Sequence, residues 1–342
     1  MKYGRELPGY PYDLKAILTR CLIVAQRKLV GHRNAPLARF SGQSPLVLDY
    51  TGQAASDAIK ALIEKDKPCL VARFGWLEME ATLRGLDIRD FKKSPVRQLC
   101  KFMLGESGPF WWDNSIRANL VWTAGYFPET NDALMRFSEQ VCKDIGAVDL
   151  LASYVGGEKR LCHRFSPEIK AFDLGDYEPY WHDNPWTSAL EGKTVLVINP
   201  FAKSIKNQYA QRERLFENPR ALPRFNLKTY KSVSSLGCQK TPFKNWFEAL
   251  SHMCDEVSKI DFDVALIGAG AYGMSLGAFI KRELGRKALH TGGMTQLIFG
   301  IKGKRWDEIP KYREKLYNNY WIRPLAEETI PNAKTVESGG YW

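Results

Sequence analysis

DVALIGAGAYG, at residues 263–273, sets the fold class of this chain. Its first half is apolar throughout, a pattern typical of a strand covered on both faces in a parallel sheet. Its second half has the spacing GxGxxG, and glycines at these positions let the backbone turn tightly from a strand into a helix. The stretch therefore predicts a strand, a glycine turn and a helix in succession, as in an α/β fold.

Four other short apolar runs follow the same pattern along the chain. They are CLVARF (69–74), VDLLAS (148–153), TVLVIN (194–199) and KALH (287–290), and helical stretches alternate with them. Strands in this alternation pair in parallel and carry helices on both faces of the sheet. We therefore expect an α/β, Rossmann-like fold with a mostly parallel sheet, in one domain over residues 46–342.

An N-terminal extension, residues 1–45, precedes this domain. Residues 13–30, DLKAILTRCLIVAQRKLV, place apolar side chains at helical spacing and basic side chains elsewhere on the wheel. The pattern predicts a basic amphipathic helix, which would either dock on the body of the protein or lie on an anionic membrane surface.

The composition is that of an ordinary globular protein, with 342 residues, 44% of them hydrophobic and 25% charged. The seven cysteines form no CxxC pair, so neither a disulfide framework nor a zinc knuckle is predicted. The sequence has no secretory signal pattern and no apolar run of the roughly 18 residues that a membrane span needs. We therefore expect a cytoplasmic protein in a reducing compartment.

The formal net charge of +11 favours acidic partners, whether nucleic acid, anionic lipid headgroups or nucleotide phosphates. The basic residues are spread along the chain and match no nucleic-acid recognition motif. Nucleic acid is therefore not the expected partner, although a basic nucleic-acid-binding protein remains one alternative.

The GAGAYG turn is a candidate phosphate site, with Gly268, Gly270, Tyr272 and Gly273 as its contacts. Glycines allow the backbone to approach a phosphate, and the helix that follows offers free N–H groups. A dinucleotide site would add an acidic residue at the end of the next strand, but that strand, KALH, ends in histidine. An NAD(P)-dependent Rossmann oxidoreductase is thus an alternative, as is a purely structural glycine turn.

Three further strand ends carry candidate site residues. The carboxyl ends of parallel strands face one crevice, so these residues should share a site with GAGAYG. His290 is a candidate general base, Lys203 and Ser204 are plausible phosphate ligands or a helix cap, and Arg73 could clamp a diphosphate. The full set at these strand ends is Arg73, Gly75, Glu78, Glu80, Asn199, Lys203, Ser204, His290, Thr291, Gly292 and Gly293.

RFGWLE at residues 73–78, taken with GAGAYG and HTGG, resembles the bacterial glycosyltransferases of the GT-D fold. That family carries an Arg-Phe-Gly-Asp-Gly-Glu signature whose Asp-x-Glu pair binds a divalent metal and the nucleotide-sugar. Arg73, Phe74, Gly75 and Glu78 match it, while Trp76 stands where the family has aspartate. The chain is also similar to uncharacterised proteins of polysaccharide gene regions, with PWTSALEGKTVLVINPF, GIKGKRW and ESGGYW as landmarks.

The resemblance implies transfer of a sugar from a nucleoside-diphosphate donor to a glycan or lipid-linked acceptor in surface-glycan assembly. It implies that Glu78 contacts the donor sugar or a Mn²⁺ or Mg²⁺ ion, with Trp76 removing the second carboxylate of the metal pair. Glu78 and Glu80 could share a metal only if Glu78 lies in the turn, because helical residues two apart point to different faces. If the reaction inverts the anomeric centre, Glu80 or His290 would act as the base.

Overall fold

The computed structural model describes residues 46–104 and 106–342, together with six positions of the N-terminal extension: Leu18, Cys21, Leu22, Val24, Ala25 and Lys28. All six positions are α-helical, in agreement with the helix predicted over residues 13–30. The remaining positions of that helix, and the loop up to residue 45, lie outside the described residues. Across the described part of the chain, no helix is long and apolar enough to span a bilayer.

Seven strands form one sheet, and all their pairings are parallel. The strands are β1 Leu70–Arg73, β2 Leu150–Ser153, β3 Lys170–Asp173, β4 Thr194–Ile198, β5 Asn226–Tyr230, β6 Val264–Ile267 and β7 Lys287–His290. Their order across the sheet is β3-β2-β1-β7-β6-β4-β5. The predicted α/β, Rossmann-like fold is therefore confirmed.

Helices connect these strands. They are α1 Gln53–Glu64, α2 Trp76–Lys93, α3 Pro95–Met103, α4 Asn114–Ala124, α5 Asn131–Asp144, α6 Glu158–Phe165, α7 Ala202–Tyr209, α8 Trp246–Ser258, α9 Gly273–Arg282, α10 Thr295–Ile298, α11 Lys304–Asp307 and α12 Pro310–Lys315. Several begin at side-chain caps, as where the Asn245 side chain accepts a hydrogen bond from the Glu248 N–H at the start of α8. Such caps satisfy N–H groups that have no partner inside the helix.

The strand order creates a crossing point beside β1. From β1 the chain moves to β2 and β3 at one edge, then crosses to β4 and β5 at the other edge and returns through β6 to β7. β7 pairs with both β1 and β6, so the two halves of the sheet meet there. Ligands of parallel α/β sheets bind at the carboxyl ends of strands near such a crossing.

The sheet interior forms the main hydrophobic core. All residues of β2 and β6 are buried, and so are those of β4 beyond Thr194. Under one side of the sheet, Tyr177 packs against Phe172 and Trp186 with ring centroids 5.3 and 5.8 Å apart. Each such fully buried side chain contributes about 1.5–3 kcal/mol of hydrophobic free energy, which fixes the strands that carry the site.

The chain divides into two compact units, residues 1–42 with 84–111, and residues 43–83 with 112–342. The sheet belongs to the second unit. In the first, Phe91 and Phe110 stack with centroids 4.0 Å apart, and Asp87 accepts a hydrogen bond of 2.8 Å from the Gln98 amide. The sequence predicted one domain from residue 46 onward. The division was not visible in the sequence, because the boundary at residue 84 falls inside α2 and has no linker composition.

Candidate functional site

A cavity of about 900 Å³ lies at the carboxyl ends of the strands, within the unit that contains the sheet. Its floor comes from residues at or just beyond the ends of five strands: Arg73, Tyr154, Asn199, Gly268 and His290. The predicted turn residues Gly270 and Gly292 line the same cavity. The strand ends therefore converge as expected for a parallel sheet.

Close packing between neighbouring strand ends explains the glycine at position 268. A Cβ there would lie 2.5 Å from Thr295 Oγ1, 2.6 Å from Asn199 Nδ2 and 2.7 Å from the Gly292 carbonyl oxygen. The Asn199 amide donates to the Gly268 carbonyl at 3.1 Å and so ties β4 to β6. Gly270 and Gly292 have φ of +54° and +60°, a conformation that favours glycine.

Arg73, the last residue of β1, supplies the cationic group of the floor. Its guanidinium donates to the Tyr154 hydroxyl, which in turn donates to the Phe74 carbonyl at 2.9 Å. A Cβ on Gly292 would lie 2.9 Å from Arg73 Nη1, so the guanidinium packs directly on that glycine turn. Its Nε is buried and has no hydrogen-bond partner. Arg73 is thus held in place while keeping a donor available.

Glu78 lies in the first turn of α2, where the Met79 N–H donates to the Gly75 carbonyl at 2.9 Å. Its carboxyl folds over Gly75, since a Cβ on Gly75 would lie 1.8 Å from Glu78 Oε2. Burial raises the pKa of Glu78, and its own backbone N–H and the Arg73 guanidinium partly offset that shift. The cavity therefore contains a carboxyl group whose charged form is poorly solvated.

Glu80 also lies in α2, so the two glutamates are helical residues two apart and point to different faces. Glu78 lines the cavity and Glu80 does not. Over residues 46–104 and 106–342, no three histidine, cysteine, aspartate or glutamate side chains are grouped so as to hold a metal ion. The residues present do not fit a Mn²⁺ or Mg²⁺ centre built from protein ligands.

His290 ends β7 and is only 5% exposed. Its ring packs on Gly273, where a Cβ would lie 2.2 Å from His290 Nε2, and its Nδ1 has no hydrogen-bond partner. Burial and, to a smaller extent, the charge of the nearby Arg73 guanidinium lower the pKa of His290 to about 3. The imidazole is therefore neutral near pH 7, which suits hydrogen bonding to a ligand better than general-base catalysis.

Lys203 and Ser204, which were predicted as phosphate ligands or a helix cap, do not line the cavity. The Glu328 carboxylate accepts hydrogen bonds from the N–H groups of Lys203 (2.8 Å) and Ser204 (3.0 Å), and from the Ser204 hydroxyl. The Lys203 ammonium pairs with Glu327. The positive end of α7 does bind an anion, but the protein supplies that anion itself.

Tyr272, Gly273 and Thr291, which were predicted as cofactor contacts, do not line the cavity either. Tyr272 is 2% exposed and stacks on Trp246 with centroids 5.0 Å apart. The Thr291 and Thr295 hydroxyls share a hydrogen bond of 2.6 Å. These residues support the turns that line the site. The predicted residues that do line it are Arg73, Gly75, Glu78, Asn199, Gly268, Gly270, His290, Gly292 and Gly293.

A segment near the C-terminus forms one wall that the sequence did not predict. From this segment Glu327, Glu328, Thr329, Ile330, Pro331, Glu337, Tyr341 and Trp342 line the cavity. Arg305, which also lines it, pairs with Glu337 and lies 4.2 Å from the centroid of the Tyr341 ring. Glu337 and Ser338 have positive φ of 46° and 58° and are followed by Gly339 at 81°. The adjacent glycines and aromatic residues of ESGGYW are the sequence feature that could have indicated this bend.

A second wall carries polar side chains that sequence reasoning also missed: Asn119, Thr123, Lys231, Ser234 and Gln239. They come from α4 and from the loop after β5, in stretches without a recognisable motif. Amide and hydroxyl groups can donate and accept hydrogen bonds, so this wall suits a ligand rich in hydroxyl groups.

Comparison of the chain with protein-family models, curated proteins and solved structures gave no match. Its chemistry is therefore inferred from the cavity. The floor offers one arginine, a neutral histidine and two glycine turns, and the walls add amides, hydroxyls and aromatic rings. That combination can bind an anionic group at the floor and a polar ring near the walls.

Proposed function

We propose that the protein is a glycosyltransferase that uses a nucleoside-diphosphate sugar. It transfers the sugar to a hydroxyl of a glycan or lipid-linked glycan acceptor in surface polysaccharide assembly. The observation that carries the proposal is the meeting of Arg73, Gly270 and Gly292 in one cavity of about 900 Å³. That volume is within the range of about 300–1,000 Å³ typical of small-molecule sites.

The floor supports binding of the donor pyrophosphate. The Arg73 guanidinium opposes the negative charge that grows on the departing diphosphate, and Tyr154 holds it in position before the reaction begins. The turns at Gly268, Gly270 and Gly292 carry no side chain toward this point, so their backbone can approach phosphate oxygens closely.

The walls support binding of the sugars. Trp76, Tyr341 and Trp342 line the cavity, and aromatic faces stack on the apolar faces of sugar rings. Glu78 provides a carboxyl that can contact a donor hydroxyl from its position above Gly75.

During transfer the acceptor oxygen bonds to the anomeric carbon. The bond from that carbon to the diphosphate oxygen breaks, and its electron pair leaves with the diphosphate. The acceptor proton leaves to a base, and Glu337 is a better-placed candidate than Glu80 because it lines the cavity.

A thermal-shift screen with UDP, GDP, CMP, NAD and NADP tests the proposal. We expect a nucleoside diphosphate to raise the melting temperature, since a ligand at 100 times its Kd adds about 2.7 kcal/mol to the stability of the folded state. Arg73→Ala should lose that shift. Arg214→Ala, which removes an exposed arginine outside the cavity, should keep it.

The alternative outcome of the screen is a shift with NAD or NADP alone, which would favour the oxidoreductase. The GxGxxG turn does lie between β6 and α9, as a dinucleotide-binding oxidoreductase requires. Its last two positions, however, face the core, and β7 ends in His290 where a ribose-binding acid would stand. These observations favour the nucleoside diphosphate.

A further inference from the structure

The carboxylates around the cavity are already engaged by protein groups. Glu328 accepts three hydrogen bonds at the start of α7, Glu327 pairs with Lys203, and Glu337 pairs with Arg305. A divalent ion would have to displace these contacts to gain those oxygens as ligands. The site therefore has few carboxylate oxygens to offer a metal.

Glu78 is the remaining carboxyl side chain of the lining; it is partly buried, and the positive charge of the nearby Arg73 guanidinium acts on it. Mg²⁺ and Mn²⁺ require about six oxygen ligands, of which the protein usually supplies one or two carboxylates while water and substrate phosphates supply the rest. The neighbouring side chain that would complete an Asp-x-Glu pair is Trp76, which has no oxygen to donate. A single carboxyl beside an arginine is a weak metal site.

The floor instead has hydrogen-bonding groups that lack partners. Arg73 Nε is buried without an acceptor, and Nδ1 of the 95% buried His290 ring has no partner either. A buried polar group without a partner costs about 1–3 kcal/mol, so a ligand that satisfies it gains that free energy on binding. Pyrophosphate oxygens are strong acceptors, and Arg73 offers them a planar, permanently charged donor.

From this arrangement we propose that the cavity binds the donor pyrophosphate without a divalent metal, with the Arg73 guanidinium providing the counter-charge that a metal would otherwise supply. The inference rests on the proposed function, because it concerns how that donor is held. It also explains why Arg73 is fixed by Tyr154 and packed on Gly292, since a counter-charge must be positioned before the diphosphate leaves.

Isothermal titration of the full chain with inorganic pyrophosphate, UDP and GDP, in EDTA and in millimolar MgCl₂, tests the inference. We expect binding in EDTA, and equal or larger dissociation constants in MgCl₂, because Mg²⁺ complexes part of the free diphosphate in solution. Arg73→Ala should weaken binding by about 10- to 100-fold, the loss expected when one charged hydrogen-bond donor is removed. Arg73→Lys keeps the charge without the planar fork and should give an intermediate loss. Arg214→Ala is the matched control and should bind as the unsubstituted protein does.

Binding that becomes tenfold tighter with Mg²⁺ or Mn²⁺ would overturn the inference and leave the proposed donor class standing. Normal binding by folded Arg73→Ala and Arg73→Lys would also overturn it. If none of the three probes binds in either buffer, the inference and the proposed function fail together. Electron paramagnetic resonance of Mn²⁺ gives a second measurement. UDP alone removes part of the free-ion signal, and we expect the addition of protein to remove no more of it. A further loss would contradict metal-free binding.

Discussion

Gly292 has no side chain, and this permits both its positive φ and the close packing of Arg73 at the floor of the cavity. The residue has φ of +60°, and the Arg73 side chain packs on its Cα. An added methyl group would lie 2.9 Å from Arg73 Nη1 and 3.0 Å from Cδ, so the guanidinium would have to move. The position of the proposed counter-charge therefore depends on this glycine.

Gly292→Ala should accordingly reduce both stability and UDP affinity. Alanine in the left-handed conformation costs about 1–2 kcal/mol, and displacement of Arg73 should weaken UDP binding by about tenfold or more. Gly285→Ala is the control, because Gly285 has φ of +61° and nothing within 4 Å of an added Cβ. It should lose similar stability in urea denaturation and keep its UDP affinity in calorimetry. Equal UDP affinity in the two variants would contradict the role given to Gly292.

Among single residues, the sequence predicted which strand ends line the cavity but not which side chains reach it. Arg73 and His290 reach the cavity, whereas Glu80 and Tyr272 do not. The direction of a side chain at a turn depends on helix phase and on what packs against it, and neither is readable from one strand-end motif. The very low pKa of His290 likewise comes from burial by distant parts of the chain.

At the scale of elements, α7 shows how a helix end can be recruited for structure. Its N-terminal N–H groups bind the Glu328 carboxylate, which is 7% exposed and separated from Lys203 by 125 residues in the sequence. The contact anchors the segment that forms one wall of the cavity. The N-terminus of α7, which could otherwise bind a phosphate, thus holds the C-terminal wall of the cavity in place.

Replacing Glu328 with alanine should destabilise the fold by about 1–3 kcal/mol, because buried donors at the start of α7 lose their acceptor. Urea denaturation followed by circular dichroism measures this loss. Glu327→Ala removes the adjacent carboxylate, whose pair with Lys203 is solvent-exposed, and should change stability little. If the two variants prove equally stable, Glu328 is not the anchor of this wall.

The strands found from sequence and those missed differ in their place in the sheet. All five predicted strands are interior, while β3 and β5 form the two edges. An interior parallel strand is covered on both faces and therefore apolar throughout, but an edge strand has less cover and retains polar residues. β3 begins with exposed Lys170, and no residue of β5 is fully buried. Neither run stands out by apolar content.

For the molecule as a whole, the net charge of +11 bears on the membrane contact predicted for the N-terminal extension. Leu18 and Val24 are 56% and 51% exposed at helical positions of the extension, and Lys28 is exposed as well. Exposed apolar side chains beside basic ones suit the interface of an anionic membrane. Under the proposed function, contact of this extension with the membrane would bring the protein close to a lipid-linked acceptor.

Co-sedimentation of the full chain with vesicles containing phosphatidylglycerol checks that inference. Binding should exceed that to neutral phosphatidylcholine vesicles and should fall as salt screens the charges. The double variant Leu18→Glu with Val24→Glu should lose most of it. The double variant Val47→Glu with Val96→Glu adds the same charge at exposed valines outside the predicted helix and should retain more. Equal binding by both double variants would remove the membrane role.

The amino-acid sequence by itself determined the parallel α/β sheet and the glycine turns at its carboxyl edge. Apolar runs and glycine spacing are local patterns, and each strand or turn depends mainly on its own residues. Only the tertiary structure decided that Glu328 fills the anion site of α7, that Glu337, Tyr341 and Trp342 form a wall, and that His290 is neutral. These properties depend on contacts between residues far apart in the chain, and a local pattern carries no information about such contacts.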